Sequence, residues 1–212
     1  MLDESLLSYV EAHTTAETAI LQKLNRYTHA NILKPRMLSG HLQGRLLSML
    51  SHMIRPNAVL EIGTFTGYSA ICLAEGLQDK GKLYTIDINE ELEDIVRSYF
   101  AEAGVENKIE YIIGNALTVI PTIEAKFDIV FIDADKINYS NYYDIVFDKV
   151  QQGGYIIADN VLWSGKVVEQ TSKKIDIDTQ AILDYNKKIQ QDPRVENILL
   201  PIRDGLQIAR KL

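Results

Sequence analysis

The sequence lacks the features that mark secreted, disulfide-stabilised or membrane-spanning proteins. Its single cysteine, Cys72, cannot form a disulfide within the chain, which favours a reducing, cytoplasmic setting. Because Cys72 lies in the apolar segment SAICLA, a buried thiol is predicted rather than a nucleophile. No stretch reaches the roughly 18 apolar residues of a membrane span. The acidic N-terminus also lacks the basic region and apolar core of a secretory signal.

Positive charge is scarce as well. The chain has 22 Lys and Arg residues against 29 Asp and Glu residues, a formal net charge of −7. Binding to nucleic acid as the main partner generally needs a basic face, so that class is disfavoured. The C-terminal third contains three basic pairs that are interpreted as solvated surface: Lys173 and Lys174, Lys187 and Lys188, and Arg210 and Lys211. The four histidines lack zinc-ligand spacing and are interpreted as surface or core residues: His13, His29, His41 and His52.

The 212 residues are predicted to form a single domain with a helical N-terminal part over 1–55 and an α/β core over 56–212. In the first part a helix is expected over 42–54, with Ser39 as its N-cap. The apolar stripe that predicts this helix consists of Leu42, Leu46, Met49, Leu50 and Met53.

In the second part, short apolar runs alternate with helical segments. Such alternation predicts a mostly parallel sheet with helices on both faces. Seven runs are predicted as strands, over 57–63, 82–88, 108–114, 127–135, 153–160, 195–201 and 205–212. The last two are separated by residues 202–204 alone, which is too short for a helical crossover. An antiparallel hairpin is therefore expected at one edge of the sheet.

The first two strands end in residues that suit a nucleoside ligand. The first strand is followed by two glycines, Gly63 and Gly67, which let a ligand approach the backbone. Their G-x-x-x-G spacing lacks the third glycine of a dinucleotide fingerprint. Asp87 ends the second strand about 20 residues further on, where a carboxylate can reach ribose hydroxyls. The alternative is that Asp87 caps the following helix.

Polar side chains also follow the fourth and fifth strands. Asp133, Asp135 and Lys136 follow the fourth strand, and Asp159 and Asn160 end the fifth. If these strands are neighbours, their carboxylates converge, and converging like charges need a balancing cation. Oxygen ligands without His or Cys favour Mg²⁺, Mn²⁺ or Ca²⁺. The alternative is that these acids cap the following helices.

Taken together, these segments resemble the cation-dependent O-methyltransferase family, which includes plant caffeoyl-CoA O-methyltransferases and, more distantly, animal catechol O-methyltransferase. The resemblance runs from about Leu33 to Leu212. It is carried by LEIGTFTGYSA (60–70), YTIDIN (84–89), FDIVFIDADKINY (127–139), GGYIIADNVLWSGKV (153–167) and DPRVENILLPIRDGLQIARK (192–211). It implies a Rossmann-like class I S-adenosylmethionine methyltransferase fold and a homodimer.

The resemblance also implies roles for individual residues. Those expected to bind S-adenosylmethionine are Met37, Ser39, Glu61, Gly63, Thr64, Ser69, Asp87, Asn115, Ala116 and Asp135. Asp133, Asp159 and Asn160 are the implied cation ligands, Lys136 is the implied general base, and Trp163 and Ser164 face the acceptor. The implied reaction is methylation of one hydroxyl of a catechol-like small molecule whose two hydroxyls bind the cation. The cation also favours the neutral amine of Lys136.

Two departures from the family pattern stand out. Plant members carry an acid where this chain has Gln43, directly before Gly44, and many members read G-D-A where it has Gly114, Asn115 and Ala116. Residues 1–32 and 161–175, which are expected to shape the acceptor pocket, do not match closely. Other functions therefore stay open: a tRNA hydroxyuridine O-methyltransferase of the same fold, a nucleotide-dependent oxidoreductase and a non-catalytic binding protein.

Overall fold

The computed structural model describes residues 4–168 and 175–212. Its seven strands are β1 (Ala58–Ile62), β2 (Lys82–Asp87), β3 (Ile109–Ile113), β4 (Phe127–Ile132), β5 (Val150–Asp159), β6 (Val195–Leu200) and β7 (Leu206–Lys211). They form one sheet in the order β3-β2-β1-β4-β5-β7-β6. The first five strands are parallel, and β7 lies antiparallel between β5 and β6. The order reverses between β1 and β4, where ligands bind in open α/β sheets.

Helices cover both faces of this sheet. They are α1 (Glu4–Ala12), α2 (Ala19–Asn31), α3 (Gly40–Ile54), α4 (Tyr68–Ala74), α5 (Glu93–Glu102), α6 (Ala116–Val119), α7 (Tyr139–Phe147) and α8 (Ile177–Gln191). Side chains from α6, α7 and α8, such as Tyr143 and Ile182, pack on one face. Leu24, Leu47 and Val96, from α2, α3 and α5, pack on the other. None of the described helices is long and apolar enough to cross a membrane.

The predicted fold class is confirmed. All seven strands occur where they were expected, and every residue of β1 is buried, as is typical of a strand covered on both faces. The edge hairpin between β6 and β7 is also present. Cys72 is buried in the core, and burial raises the pKa of its thiol to about 12, which fits an inert side chain.

Two local predictions were wrong. The segment TGYSAICLAEGLQDKG (66–81) predicts a helix closed by Gly81, but α4 ends at Ala74. The chain passes close to α3 just after this end, since a Cβ on Gly76 would lie 2.2 Å from the Ser51 carbonyl carbon. Ser39 does precede α3, but within the described part of the chain its side chain makes no capping hydrogen bond.

The buried face of α3 also differs from the prediction. Its buried residues are mostly polar or small: Gln43, Gly44, Leu47, Ser48 and Ser51. The predicted apolar stripe instead lies partly on the outside, where Met49 and Met53 are 62% and 76% exposed. This helix therefore leaves an apolar strip at the surface of the protomer.

The surface predictions for basic and histidine residues hold where the structure describes them. Lys188 forms an ion pair with Asp144 at 2.6 Å, and Arg210 lies 3.6 Å from Glu196. Three of the four histidines are exposed, and His41 is half-buried. Lys173 and Lys174 lie outside the described residues.

Candidate active site

A cavity of about 980 Å³ opens at the carboxyl ends of the parallel strands. It brings together most of the residues that the sequence analysis singled out. Its lining includes Met37, Ser39, Gly63, Thr64, Ser69, Asp87, Asn115, Ala116, Asp133, Asp135, Lys136, Asp159, Asn160 and Trp163. Glu61 lies directly beside this lining in β1. Ser164 is exposed in the loop after β5, outside the lining.

The glycine turn after β1 requires glycine at its first position. Gly63 has a φ of 102°, and a Cβ there would lie 2.1 Å from the Asp133 carbonyl oxygen. The backbone N–H of Asp133 in turn donates to the Ile62 carbonyl at 2.9 Å. The ends of β1 and β4 therefore meet in direct backbone contact, which places Asp133 at the floor of the cavity.

Glu61 is a fully buried carboxylate behind this turn. The Thr85 hydroxyl donates to Glu61 Oε2 at 2.5 Å, and Oε1 has no partner among the described residues. Burial raises the pKa of Glu61 to about 8, although the nearby hydroxyls of Ser69 and Thr85 oppose the shift. Because an unpaired buried acceptor is costly, this site fits a ligand that carries positive charge or hydrogen-bond donors.

Asp87 fixes the neighbouring part of the cavity wall. Its carboxylate accepts hydrogen bonds from the backbone N–H groups of Phe65, at 2.7 Å, and Asn89, at 2.9 Å. The turn that begins the next helical segment is instead capped by the Asn89 side chain, which accepts from the Glu91 N–H. Asn115 likewise caps α6 through the Leu117 N–H at 2.9 Å while lining the cavity.

The acidic group lies at the exits of β4 and β5, which are neighbours as predicted. Asp159 is 2% exposed, and its two carboxylate oxygens accept hydrogen bonds from Gln43 and from the Asn160 N–H, both at 2.7 Å. Burial, reinforced by the charge of Asp133, raises the pKa of Asp159. Asp135 lies on the same wall, but its carboxylate is bound by Tyr142 at 2.5 Å and by Asn138.

Lys136 is the positive charge nearest to this group. The side chain is only 8% exposed, and its Nζ donates to Asp133 Oδ1 at 3.2 Å and to the Tyr139 hydroxyl at 2.5 Å. The Tyr139 hydroxyl in turn donates to the Asp159 carbonyl at 3.0 Å. Asp133 and this anchored Tyr139 therefore both fix the position of Lys136 Nζ. Its Nζ also lies 5.8 Å from the centre of the Trp163 ring. The amine therefore lies between the acidic group and the cavity, which Lys136 also lines.

The residues at this point suit a hard divalent cation. Among the described residues, no three Asp, Glu, His or Cys side chains form a metal-binding group. The predicted set has two carboxylates and one amide, Asp133, Asp159 and Asn160, and all of its donors are oxygen. The buried Asp159 and the partly buried Asp133 have Lys136 as their compensating charge, so additional positive charge would be stabilised there.

Gln43 and Arg203 are linked to this group by contacts that the sequence pattern did not predict. Gln43 stood out only as a departure from the family pattern, and Arg203 did not stand out at all. Arg203 lies in the turn between β6 and β7 and donates to the Gln43 side-chain oxygen at 3.2 Å. No local sequence motif indicates either contact, because Gln43 lies 116 positions from Asp159 and 160 positions from Arg203.

The fold and the cavity at the strand ends define a class I S-adenosylmethionine-dependent methyltransferase. A sequence profile of the O-methyltransferase family matches residues 11–212. The chain is 34% identical over 206 residues to a probable caffeoyl-CoA O-methyltransferase of Arabidopsis thaliana, covering 92% of this chain and 88% of the relative. The chain therefore belongs to the O-methyltransferase family.

Solved structures agree with this assignment. An O-methyltransferase from Bacillus cereus in complex with S-adenosylhomocysteine is 31% identical, with a TM-score of 0.89 over 98% of this chain and 97% of that one. TomG from Streptomyces achromogenes, an O-methyltransferase in complex with S-adenosylmethionine, is 28% identical, with a TM-score of 0.89 over 100% of this chain and 99% of that one. The methyl donor is S-adenosylmethionine.

Proposed function

We propose that this O-methyltransferase requires a divalent cation and methylates one hydroxyl of a catechol-like small molecule. The observation that carries the proposal is the carboxylate pair of the partly buried Asp133 and the buried Asp159 beside Lys136, in the lining of the methyl-donor cavity. The caffeoyl-CoA O-methyltransferases among its relatives support an aromatic acceptor. A binding site for a cation such as Mg²⁺ is proposed at Asp133, Asp159 and Asn160.

The donor side of the site is proposed to bind the parts of S-adenosylmethionine separately. Asp87 would hold the ribose hydroxyls, and Asn115 and Ala116 would lie against the adenine. Met37, Ser39, Gly63, Thr64 and Ser69 would surround the rest of the donor. The buried carboxylate of Glu61 and the nearby Asp135 would favour its positive charges, since negative charge stabilises a cationic ligand.

On the acceptor side, Lys136 is proposed as the general base. A bound divalent cation supplies the charge that orients two adjacent hydroxyls and makes one of them more acidic. Lys136 Nζ then accepts the proton of the hydroxyl that takes the methyl group. The contact with Tyr139 fixes the position of Nζ, while Trp163 and Ser164 are proposed to contact the acceptor ring. Holding the reacting atoms in line contributes much of the rate.

The test is release of S-adenosylhomocysteine from S-adenosylmethionine and 3,4-dihydroxybenzoic acid, with Mg²⁺ or with EDTA. We expect turnover with Mg²⁺ that EDTA abolishes. Turnover that survives EDTA would contradict the cation, and methylation of hydroxyuridine tRNA in place of catechols would contradict the acceptor. Binding of NADH in place of the methyl donor would contradict the assigned chemistry as a whole.

A homodimer is proposed as the working form. The exposed apolar strip on α3, with Met49 and Met53, supports an interface there, because large exposed apolar patches often mark association sites. Light scattering on the purified protein should give twice the mass of the 24.0 kDa chain. A monomer at micromolar concentration would contradict it. The division at residue 55 and the cytoplasmic location stay predictions.

A further inference from the structure

Arg203 ties the turn between β6 and β7 to the segment that precedes α3. Its guanidinium donates to the carbonyl oxygens of Leu38, at 3.0 Å, and Ser39, and to the Gln43 side chain. Leu38 and Ser39 line the donor cavity. All three acceptors are neutral oxygens, and no ion pair involves Arg203 within residues 4–168 and 175–212. The positively charged guanidinium of Arg203 therefore lies at the rim of the cavity.

Gln43 connects this guanidinium to the acidic group. Its side chain is fully buried, with Oε1 facing Arg203 and Nε2 donating to Asp159 Oδ2 at 2.7 Å. Arg203 fixes this orientation, since a guanidinium can only donate and the amide oxygen of Gln43 must therefore face it. The amide dipole consequently points its positive end at Asp159. A fixed donor of this kind restricts the rotation of a carboxylate that has few other partners.

We propose that Arg203 and Gln43 are positioning residues, which together fix the Asp159 carboxylate for cation binding and hold the closing segment (33–39) over the donor cavity. The inference rests on the proposed cation site. Gln43 lies outside the cavity lining, and Arg203 lines it beside Leu38 and Ser39, so both act through Asp159 and through the closing segment. Partners that orient a metal ligand in this way commonly contribute about 10-fold or more to metal affinity.

The test is a double-mutant cycle on the full chain. Gln43→Met keeps the length and apolar bulk of the side chain but removes both hydrogen bonds, and Arg203→Met removes the guanidinium. The affinity for Mn²⁺ is measured from the electron paramagnetic resonance signal of the free ion, with S-adenosylhomocysteine at saturation. Arg26→Met, at an exposed position on α2, is the matched control.

We expect Gln43→Met to weaken Mn²⁺ binding by about 10-fold, since its direct contact with Asp159 is lost. Arg203→Met should weaken binding less, and adding it to Gln43→Met should change the affinity little further, since it acts through Gln43. A Gln43→Met affinity within twofold of wild type overturns the inference, and so do additive effects of the two substitutions. Unchanged melting temperatures would show that the variants are folded.

A second measurement separates this inference from the proposed function. Amide hydrogen exchange of the closing segment is followed in the same proteins without metal, because Met37 and Leu38 donate backbone hydrogen bonds there. Arg203→Met should speed exchange in this segment, whereas Arg26→Met should not. If wild type binds no Mn²⁺, the proposed cation fails. In that case the role of Arg203 in holding the closing segment is tested by amide hydrogen exchange alone, and unchanged exchange in Arg203→Met overturns it.

Discussion

The two walls of the cavity are built from different kinds of contact. The donor wall, at the exits of β1, β2 and β3, is closed by bonds between nearby segments, such as Asp87 with the Phe65 N–H 22 positions away. The acceptor wall, around Asp133, Lys136 and Asp159, depends on Gln43, 116 positions from Asp159. The donor wall is thus a property of the α/β core, whereas the acceptor wall needs the N-terminal helices in place.

Single substitutions in the two walls should affect different measurable properties of the enzyme. A defect in the donor wall should first appear in stability and donor binding, because that wall includes the glycine turn after β1, whose backbone packs directly on that of Asp133. A defect in the acceptor wall should first appear in turnover or acceptor affinity, with the fold intact. The following substitutions test that contrast.

Lys136→Met should produce the largest effect. Removing the proposed base should lower kcat by about 10²- to 10⁴-fold, the usual range for general base catalysis. Affinity for S-adenosylhomocysteine, measured by calorimetry, should stay within about twofold because the donor wall is untouched. Lys166→Met is the matched control, since Lys166 Nζ lies 5.9 Å from the same Trp163 ring but is exposed. A Lys136→Met enzyme with full turnover would remove Lys136 from the mechanism.

Gly63→Ala should produce the largest loss of stability. The new Cβ meets the Asp133 carbonyl oxygen, and alanine is strained at a φ of 102°. We expect the free energy of unfolding in urea to fall by about 3 kcal/mol or more, with donor binding lost as well. Gly153→Ala is the control, because its φ is also positive, at 80°, but its Cβ meets nothing within 4 Å. Equal losses in the two variants would mean that strain alone matters and that the crowding at Asp133 does not.

Glu61 should make the ligand-free protein less stable as the pH rises. Burial raises its pKa to about 8 from an ordinary value of 4.5, so between these values the folded state binds more protons than the unfolded state. The contribution of Glu61 to the free energy of unfolding is full below about pH 4.5 and is lost as the pH rises through about 8. The free energy falls by no more than about 1.4 kcal/mol per pH unit. Glu61→Gln should flatten this slope in urea titrations from pH 5 to 8, whereas the exposed Glu110→Gln should not. The same slope in Glu61→Gln would assign it to other groups.

The sequence predicted the donor wall more completely than the acceptor wall, for a physical reason. Glycines at a strand exit and an acid about 20 residues later are local patterns, and the parallel topology alone brings Asp133 and Asp159 to one edge. The contacts of Gln43 and Arg203 join distant segments and follow no period. The hydrophobic pattern of α3 predicted its buried face only in part. Leu46 and Leu50 pack on the core, but Met49 and Met53 lie at the surface, and the buried side carries Gln43 toward Asp159 and Gly44 against α4.

Asp204 should produce the smallest effect, and it tests the acceptor wall on its far side. Its carboxylate accepts from the Ser164 N–H at 2.6 Å, and its carbonyl accepts from the Leu162 N–H at 2.8 Å. Asp204→Ala removes the first bond alone, which is worth about 1–2 kcal/mol. We expect a severalfold rise in KM for the acceptor, with kcat and Mn²⁺ affinity unchanged. Asp204→Asn keeps an acceptor oxygen and should restore most of the KM, since the bond needs an oxygen rather than a charge. A fall in Mn²⁺ affinity in Asp204→Ala would instead mean that the turn between β6 and β7 acts on the proposed cation site as well as on the loop that carries Ser164.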